Sequence, residues 1–343
     1  MQGVWKTPVM AFLAQPAPLI AVVGPTATGK SALAVALARR LDAEIVNADA
    51  MQRYRGMDIG TAKTPPVERG GIPHHQLDVL GVREEASLAE YQRDARADLA
   101  AVRGRGRVPV VVGGSGLYVR AVLDRLSIPP TDPAVRTALE ADLERDGPEA
   151  LFARLRAADP VAASAILPGN TRRVVRALEV VYLTGRPFSA TQPDRQLHSP
   201  AVLVGLVLDR RALDARIEAR AVQMWRDGLV EEVGRLLPQG LREGRTASRA
   251  LGYQQALAVI DGRATERQAI ADTARATRRL ARRQDSWFRP DPRIAWLPAE
   301  APDLLDRALA AVEAHQHRGG SAQHAKRAGL QDPAHGRDNA GDE

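Results

Sequence analysis

The chain of 343 residues contains no cysteine, which excludes disulfide bonds, thiolate metal sites and cysteine nucleophiles. Aromatic residues make up only 4% of the sequence. No apolar run approaches the roughly 18 residues that a membrane-spanning helix needs, and the run Val9–Ala14 is too short for a signal peptide. We therefore expect a cytoplasmic protein without a membrane segment.

Lysine is scarce as well, although the chain is basic. Lysine and arginine together number 48 against 41 acidic residues, which gives a net charge of +7. The only lysines are Lys6, Lys30, Lys63 and Lys326, so arginine supplies almost all of the positive charge. A basic chain favours an anionic partner, such as a nucleic acid or a phosphorylated substrate.

Short apolar runs alternate with helical patterns, which predicts a parallel sheet flanked by helices. Strands are expected at Leu19–Val23, Glu44–Ala48, Val108–Val112, Ala201–Leu208 and Ile294–Leu297. Helices are expected at 31–41, 86–102, 211–237, 246–261 and 265–287. No strand pattern occurs between 125 and 197, which predicts an all-helical insertion. The expected organisation is a core from 1–124 and 198–316, an insertion at 125–197, and a disordered tail at 317–343.

The segment after the first predicted strand matches the phosphate-loop pattern G-x-x-x-x-G-K-[ST] and opens a predicted helix. It consists of Gly24, Pro25, Thr26, Ala27, Thr28, Gly29, Lys30 and Ser31. Backbone N–H groups at such a helix start bind phosphate, and the lysine adds a positive charge. The Ser31 hydroxyl is the expected ligand for a Mg²⁺ ion. The fold class predicted is therefore α/β, a P-loop NTPase-like sheet with a helical insertion domain.

ATP is the usual ligand of such a loop, so a kinase or an NTPase is the first hypothesis. Those enzymes are expected to carry a metal-binding carboxylate at the end of a strand such as Val108–Val112. This strand runs instead into Gly113-Gly114-Ser115-Gly116, which offers no carboxylate. The missing carboxylate favours a loop that holds a phosphate acting as a leaving group over a loop that holds a phosphate to be transferred.

Four further motifs carry a resemblance to a known family. Asp49–Tyr54 reads DAMQRY, Gly56–Lys63 reads GMDIGTAK, Gly113–Tyr118 reads GGSGLY and Arg249–Gln254 reads RALGYQ. With the phosphate loop they occur in the family's order, from about residue 19 to residue 289. On these motifs the chain closely resembles the bacterial tRNA dimethylallyltransferases, also called tRNA isopentenyltransferases.

The resemblance implies transfer of a dimethylallyl group from dimethylallyl diphosphate to N6 of adenosine 37, beside the tRNA anticodon. The family's phosphate loop holds the diphosphate, and Mg²⁺ is the expected cofactor. Its general base is the aspartate after the second strand, here Asp49, which would accept a proton from the adenine amino group. Its diphosphate-binding arginine lies in a helix that reads R-I-x-x-R-x-x-x-M, which corresponds to Arg220. The family has threonine where this chain has Ser115, so a hydroxyl is kept for the diphosphate.

The resemblance also implies which residues contact the tRNA. They are Asp49, Ala50, Met51, Gln52, Arg172, Arg173, Val174, Val175, Arg176, Arg249, Ala250, Leu251, Gly252, Tyr253 and Gln254. The i, i+4 spacing of Arg172 and Arg176 puts both on one helix face, which suits phosphate. Tyr253 fits either stacking on a base or a place in the core.

The sequence leaves two interpretations open for an arginine-rich stripe. A stripe at helical spacing would be either a solvated face or a contact with RNA or diphosphate; it consists of Arg275, Arg278, Arg279, Arg282 and Arg283. Lys63 is a candidate for holding phosphate, and Asp58 is expected to be structural. The pair His74-His75 lacks the neighbouring acidic residues expected of a metal site.

Three functions remain open from the sequence. The first is a tRNA dimethylallyltransferase, with tRNA and dimethylallyl diphosphate as partners of a monomer. The second is an adenylate isopentenyltransferase, against which the arginines of the insertion argue, because a free nucleotide has no stem to grip. The third is a P-loop kinase or a non-catalytic RNA-binding NTPase, against which the missing carboxylate and the GMDIGTAK block argue.

Overall fold

The computed structural model describes residues 18–191 and 195–315. The predicted lead-in before residue 18 and the tail predicted at 317–343 lie outside those residues. The chain divides into two compact units. The first holds the residues up to Glu85, Ala97–Gly116 and those from Pro200 onwards, and the second holds Ala86–Arg96 and Leu117–Ser199. The second unit thus includes residues that precede the predicted insertion.

A parallel sheet forms the centre of the first unit. Its strands within the described residues are β1 (Leu19–Val23), β2 (Ala43–Asn47), β3 (His74–His75), β4 (Val108–Val112), β5 (Ala201–Val207) and β6 (Ile294–Pro298). Their order is β3-β2-β4-β1-β5-β6, and all neighbours are parallel. The five predicted strands agree with the structure to within one residue at each end. The strand β3 has no predicted counterpart, because two residues are too few to form a pattern.

The labelled helices are α1 (Lys30–Leu41), α2 (Pro66–Arg69), α3 (Leu88–Gly104), α4 (Gly116–Leu123), α5 (Pro133–Ala158), α6 (Pro160–Ala165), α7 (Thr171–Thr184), α8 (Arg210–Arg226), α9 (Leu229–Leu236), α10 (Tyr253–Ile260) and α11 (Glu266–Phe288). A further helix occupies 304–315. The helix predicted at 211–237 is two helices, because Gly228 adopts a left-handed conformation (φ = 94°) between α8 and α9. The helix predicted at 246–261 begins as a separate 3₁₀ turn, Ala247–Arg249.

The core of the first unit explains why the sequence of the central strands is apolar throughout. Every residue of β1, β2 and β4 is buried, as expected for parallel strands covered on both faces. On one face Ile20 and Val22 pack with Leu37 of α1 and with Ala308 and Val312 of the helix at 304–315. The carboxyl ends of these strands meet at one edge of the sheet, where open α/β sheets bind their ligands.

A separate core holds the helices of the second unit. It includes Leu151 and Leu155 of α5 together with Val174 and Leu178 of α7. The helix α5 is broken at Gly147, whose φ of 83° is not helical. Glu179 is fully buried, and its carboxylate accepts hydrogen bonds from Arg136 and Arg176. Burial alone would raise the pKa of Glu179, but these two guanidinium groups hold it below its ordinary value.

Candidate active site

The phosphate loop lies between β1 and α1. Gly24 has a φ of 129°, and a Cβ there would lie 2.7 Å from the Leu206 carbonyl oxygen, so only glycine fits. The Thr28 hydroxyl donates to the Pro25 carbonyl oxygen over 2.8 Å, and Lys30 Nζ donates to the same oxygen over 2.5 Å. Among the described residues no side chain caps the start of α1, so its backbone N–H groups are available to an anion.

Asp49 follows β2 and is fixed by its neighbours in the chain. Asn47 Oδ1 accepts the Asp49 N–H over 3.1 Å, and Asp49 Oδ1 accepts the Met51 N–H over 2.9 Å. The Asn47 side-chain amide also donates to the carbonyl oxygens of Asp49 and Gln76, over 2.9 and 3.1 Å. The second carboxylate oxygen of Asp49 has no hydrogen-bond partner in the described part of the chain, so it remains available to a substrate.

Arg220 reaches the phosphate loop from α8. The helix packs Leu213 and Ile217 against Ala281 of α11, and one turn beyond Ile217 the Arg220 Nη1 donates to Thr26 Oγ1 over 3.4 Å. The helix pattern that indicated Arg220 therefore leads to a residue at the phosphate loop rather than to a solvated surface charge.

Three charged groups share this site and shift one another. Burial lowers the pKa of Lys30 to about 7; the Asp49 carboxylate opposes the shift and Arg220 adds to it. Burial also lowers the pKa of Arg220, again opposed by Asp49. While Lys30 is protonated, two cations and one carboxylate give the site a net positive charge. An anion such as diphosphate would relieve the repulsion between Lys30 and Arg220.

A pocket that is open to solvent adjoins these groups, and the space within it, counted together with the solvent at its mouth, is about 720 Å³. Its lining residues with charged or amide side chains are Asp49, Arg220 and Gln284, and Thr26 of the phosphate loop lies beside them. Its other lining residues are Met51, Gly60, Thr61, Ile217, Ala221, Met224, Ala250, Leu251, Thr273, Thr277 and Leu280. The combination of apolar walls, a phosphate loop and a carboxylate suits a substrate with a small hydrocarbon group attached to a phosphate.

Several of these residues are missing from the sequence predictions. Thr273, Thr277, Leu280 and Gln284 of α11 line the pocket, and their i, i+4, i+7, i+11 spacing is a visible signal. Sequence reasoning followed the arginines of the same helix instead. Arg275, Arg279, Arg282 and Arg283 are exposed and Arg278 is half-buried, so the stripe lies on a different face of α11 from the pocket.

Glu232 of α9 is another residue that the sequence predictions lack. Its buried carboxylate accepts the backbone N–H groups of Asp58, Ile59 and Gly60 over 3.1, 2.8 and 3.4 Å. It also accepts the Tyr253 hydroxyl over 2.5 Å. Glu232 therefore holds the GMDIGTAK loop, whose Gly60 lines the pocket. No spacing rule links it to that loop, because the two are far apart in sequence.

Ser115 lies in the loop that joins β4 to α4. It is half-buried and is not among the described residues that line the pocket. Gly113, two residues before Ser115, is tightly packed, because a Cβ there would clash with the Ala48 carbonyl oxygen. A role for the Ser115 hydroxyl stays a prediction.

Two predictions on the Asp49–Lys63 region need correction or refinement. Lys63 does not hold phosphate: its buried Nζ donates to the Tyr54 carbonyl oxygen and pairs with Asp58 and Asp78, each at 2.6 Å. Its three donors are therefore used within the fold. Gln52 is also engaged, because its amide donates to the Thr61 carbonyl oxygen over 3.1 Å. Ala50 and Met51 remain half-buried beside Asp49.

The Arg249–Gln254 segment divides between core, pocket and surface. Tyr253 is fully buried with its hydroxyl bonded to Glu232, so the stacking alternative is wrong and the core alternative is correct. Ala250 and Leu251 line the pocket, and Gly252 is buried beside them in sequence. Arg249 and Gln254 are exposed, so their side chains are accessible to a tRNA.

The predicted tRNA contacts of α7 also divide. Arg172 and Arg173 are exposed and suit a phosphate contact. Val174 and Val175 are only 1% and 4% exposed and belong to the core of the second unit, so their side chains cannot contact RNA. Arg176 bonds to Glu179 and to the carbonyl oxygens of Pro129 and Pro130, which gives it a structural role within the unit.

The paired histidines form the strand β3. His75 Nε2 lies 2.7 Å from Glu44 Oε2, and His74 Nδ1 lies 2.8 Å from the Ile72 carbonyl oxygen. Within 18–191 and 195–315, no group of three or more histidine, aspartate or glutamate side chains could hold a metal ion. No described helix combines the length and apolar character needed to cross a lipid bilayer.

Comparison with protein families identifies close relatives of this chain. A family model described as IPP transferase matches residues 52–291, and one described as isopentenyl transferase matches residues 17–76. The tRNA dimethylallyltransferase of Salinispora arenicola is 61% identical over 296 residues, which cover 86% of each chain. That of Thermobifida fusca is 60% identical over 302 residues, 87% of this chain and 95% of the relative.

Solved structures give the same result. The full-length tRNA isopentenylpyrophosphate transferase of Bacillus halodurans is 38% identical with a TM-score of 0.65, over 90% of this chain and 99% of that one. A eukaryotic dimethylallyltransferase captured acting on tRNA is 26% identical with a TM-score of 0.72, over 84% of this chain and 76% of that one. The sequence, the parallel-sheet fold and these relatives together establish that the chain belongs to the tRNA dimethylallyltransferase family, the IPP transferases.

Proposed function

We propose that the protein transfers a dimethylallyl group from dimethylallyl diphosphate to N6 of adenosine 37 in tRNA, with release of diphosphate. The observation that supports this most strongly is the meeting of Asp49, Arg220 and the phosphate loop at one apolar-walled pocket. A kinase needs a metal-binding carboxylate after β4, and this chain has Gly113 there.

The reaction requires both a proton acceptor and a stabilised leaving group, because an aromatic amine is a poor nucleophile. As N6 forms its bond to C1 of the dimethylallyl group, the C1–O bond breaks and its electron pair leaves with the diphosphate. The free oxygen of Asp49 accepts a proton from the amino group. Lys30 and Arg220 balance the negative charge on the departing diphosphate.

Mg²⁺ is the proposed cofactor, and the donor set suits it. Ser31 stands directly after Lys30 at the start of α1, so its hydroxyl would hold the ion together with oxygens of the diphosphate. Mg²⁺ prefers oxygen ligands and usually keeps several waters rather than a full set of protein ligands. When bound, it would supply positive charge to the leaving group.

The acceptor is proposed to be a tRNA anticodon loop in the cytoplasm, bound by a monomeric enzyme. The exposed cations Arg172, Arg173 and Arg249 are available to its phosphates. The reacting amino group is inaccessible in a stacked base, so the adenosine must leave the stack, which a single-stranded loop allows at low cost.

The test is transfer of radiolabelled dimethylallyl diphosphate, with Mg²⁺, to unmodified tRNA in one reaction and to AMP in another. Label on tRNA and not on AMP is the expected result. Label on AMP alone would assign the protein to the adenylate isopentenyltransferases. ATP hydrolysis without transfer to either acceptor would contradict the proposal and favour the kinase or NTPase alternative.

A further inference from the structure

Gln284 of α11 is a buried polar residue to which the reaction above assigns no role. Its side chain lines the pocket, and the residue is 7% exposed. Gln284 Oε1 accepts the backbone N–H of Thr26 in the phosphate loop over 2.8 Å. Because a backbone N–H can only donate, the atom facing Thr26 must be the amide oxygen. The amide orientation is therefore fixed.

The other end of the amide faces the second loop of the site. A Cβ on Gly114 would lie 2.5 Å from Gln284 Nε2, and a Cβ on Gly116 would lie 2.0 Å from the Trp287 ring. Gln284 and Trp287 are one turn apart on α11, so the helix docks on Gly114 and Gly116 of the GGSG loop. Glycine at 114 leaves the room that the amide occupies.

Gln284 Nε2 has no hydrogen-bond partner among the described residues. It carries two N–H donors and no acceptor, so the group that completes it must be an acceptor. It lies between the phosphate loop and the residue that precedes Ser115. Diphosphate oxygens are strong acceptors, and these two loops are the segments expected to hold them.

We propose that Gln284 binds the diphosphate of the prenyl donor through Nε2 while its Oε1 holds the Thr26 N–H of the phosphate loop. This inference rests on the function proposed above and adds to it a neutral ligand for the leaving group. A neutral donor suits the position because Lys30 and Arg220 already repel one another there, and a third cation would increase that repulsion.

The test compares Gln284→Glu with Gln268→Glu in the full chain, by titration with inorganic diphosphate in the presence of Mg²⁺. Glutamate at 284 can still accept the Thr26 N–H but has no donor for diphosphate. Gln268 is exposed on the same helix, where its Oε1 accepts the Thr265 N–H, and glutamate keeps that bond. We expect the dissociation constant for diphosphate to rise about tenfold or more for Gln284→Glu and to be unchanged for Gln268→Glu.

Three results would overturn the inference while the wild-type enzyme still prenylates tRNA. Unchanged diphosphate binding by a folded Gln284→Glu variant would limit Gln284 to holding Thr26. Unchanged diphosphate binding with a raised KM for tRNA would assign Nε2 to the adenine. Equal weakening by both variants would indicate a general charge effect. A wild-type enzyme that transfers no prenyl group would instead refute the proposed function.

Gly114→Ala is a second variant, in which Gln284 itself is not substituted. Its methyl group would displace the amide, so we expect diphosphate binding to weaken as it does for Gln284→Glu. Because this substitution adds no charge, it separates loss of the hydrogen bond from electrostatic repulsion. Thermal unfolding of each variant shows whether it is folded, and normal diphosphate binding by a folded Gly114→Ala protein would contradict the inference.

Discussion

Arginines in the two units meet different environments although the sequence presents them alike. In the first unit, Arg220 reaches the phosphate loop and its charge acts on Lys30. In the second unit, Arg172 is exposed and Arg176 is bound to Glu179. The difference shows that an arginine-rich composition sets the amount of positive charge. Helix packing decides which arginine can bind a ligand, which is solvated and which forms an ion pair within the protein.

The buried and the exposed arginines also differ in how strongly their charges interact with other charges. Charges in a partly buried site interact much more strongly than charges in water. At physiological ionic strength, salt screens the interaction between exposed charges over a distance of about 8 Å. Substitutions at the pocket should therefore change chemistry and diphosphate binding strongly. Substitutions at exposed residues of α7 should change tRNA binding weakly and in a salt-dependent manner.

The largest effect is expected at Asp49. In Asp49→Asn the amide oxygen can still accept the Met51 N–H, so the loop should keep its shape while the proton acceptor is lost. The rate of prenyl transfer in single-turnover assays should fall about a thousandfold. Diphosphate binding should persist, and a near-normal transfer rate would remove Asp49 from the role of general base.

A smaller loss is expected for Arg220→Met, which keeps much of the side-chain length and removes the charge. Prenyl transfer should slow about a hundredfold, because one charged donor to the leaving group is gone. Diphosphate affinity should fall too, whereas tRNA affinity measured without the prenyl donor should not. Arg216→Met, on the same helix and paired with exposed Glu300, is the matched control and should be close to wild type.

The pH dependence of diphosphate binding tests Lys30. Its pKa of about 7 means that, in the absence of diphosphate, the Lys30 amine is mostly protonated below pH 7 and mostly neutral above it. Bound diphosphate favours the charged amine, so the lysine contribution is complete below pH 7 and is lost as pH rises above 7. Affinity should fall by up to about tenfold per pH unit above pH 7. In Lys30→Arg this component should disappear, because arginine stays charged.

The second unit supplies the contrasting pair of variants. Arg172→Ala should weaken tRNA binding about two- to fivefold and reduce its salt slope by about one, without loss of stability. Val174→Ala should lower the free energy of unfolding by about 2 kcal/mol through loss of buried apolar surface and leave diphosphate binding intact. If Arg172→Ala instead changed only the KM for dimethylallyl diphosphate, the assignment of tRNA binding to the exposed residues of α7 would be wrong.

Ser115→Thr should have the smallest effect. Threonine keeps the hydroxyl and restricts its rotation, so the transfer rate should stay equal or rise slightly. A large loss measured in the same single-turnover assay would mean that the loop after β4 has a different shape from that of its relatives.

Much of the fold was predictable because its signals are local. The runs at Leu19–Val23 and Val108–Val112 coincide with β1 and β4, since parallel strands covered on both faces must be apolar along their length. The pattern that indicated Arg220 also led to the correct neighbourhood. The signal failed at Lys63, whose Nζ pairs with Asp58 and Asp78, because contacts within a mostly irregular segment follow no helix or strand period.

The sequence by itself determined the α/β class, the phosphate loop and the family, because these depend on short motifs and on the period of apolar residues. Only the tertiary structure decided that Tyr253 is core, that Val174 and Val175 cannot contact RNA, and that Gln284 lies between two loops. The physical reason is that a helix pattern states which residues share a face. Which faces are buried, and against which charges, depends on contacts between segments far apart in the chain.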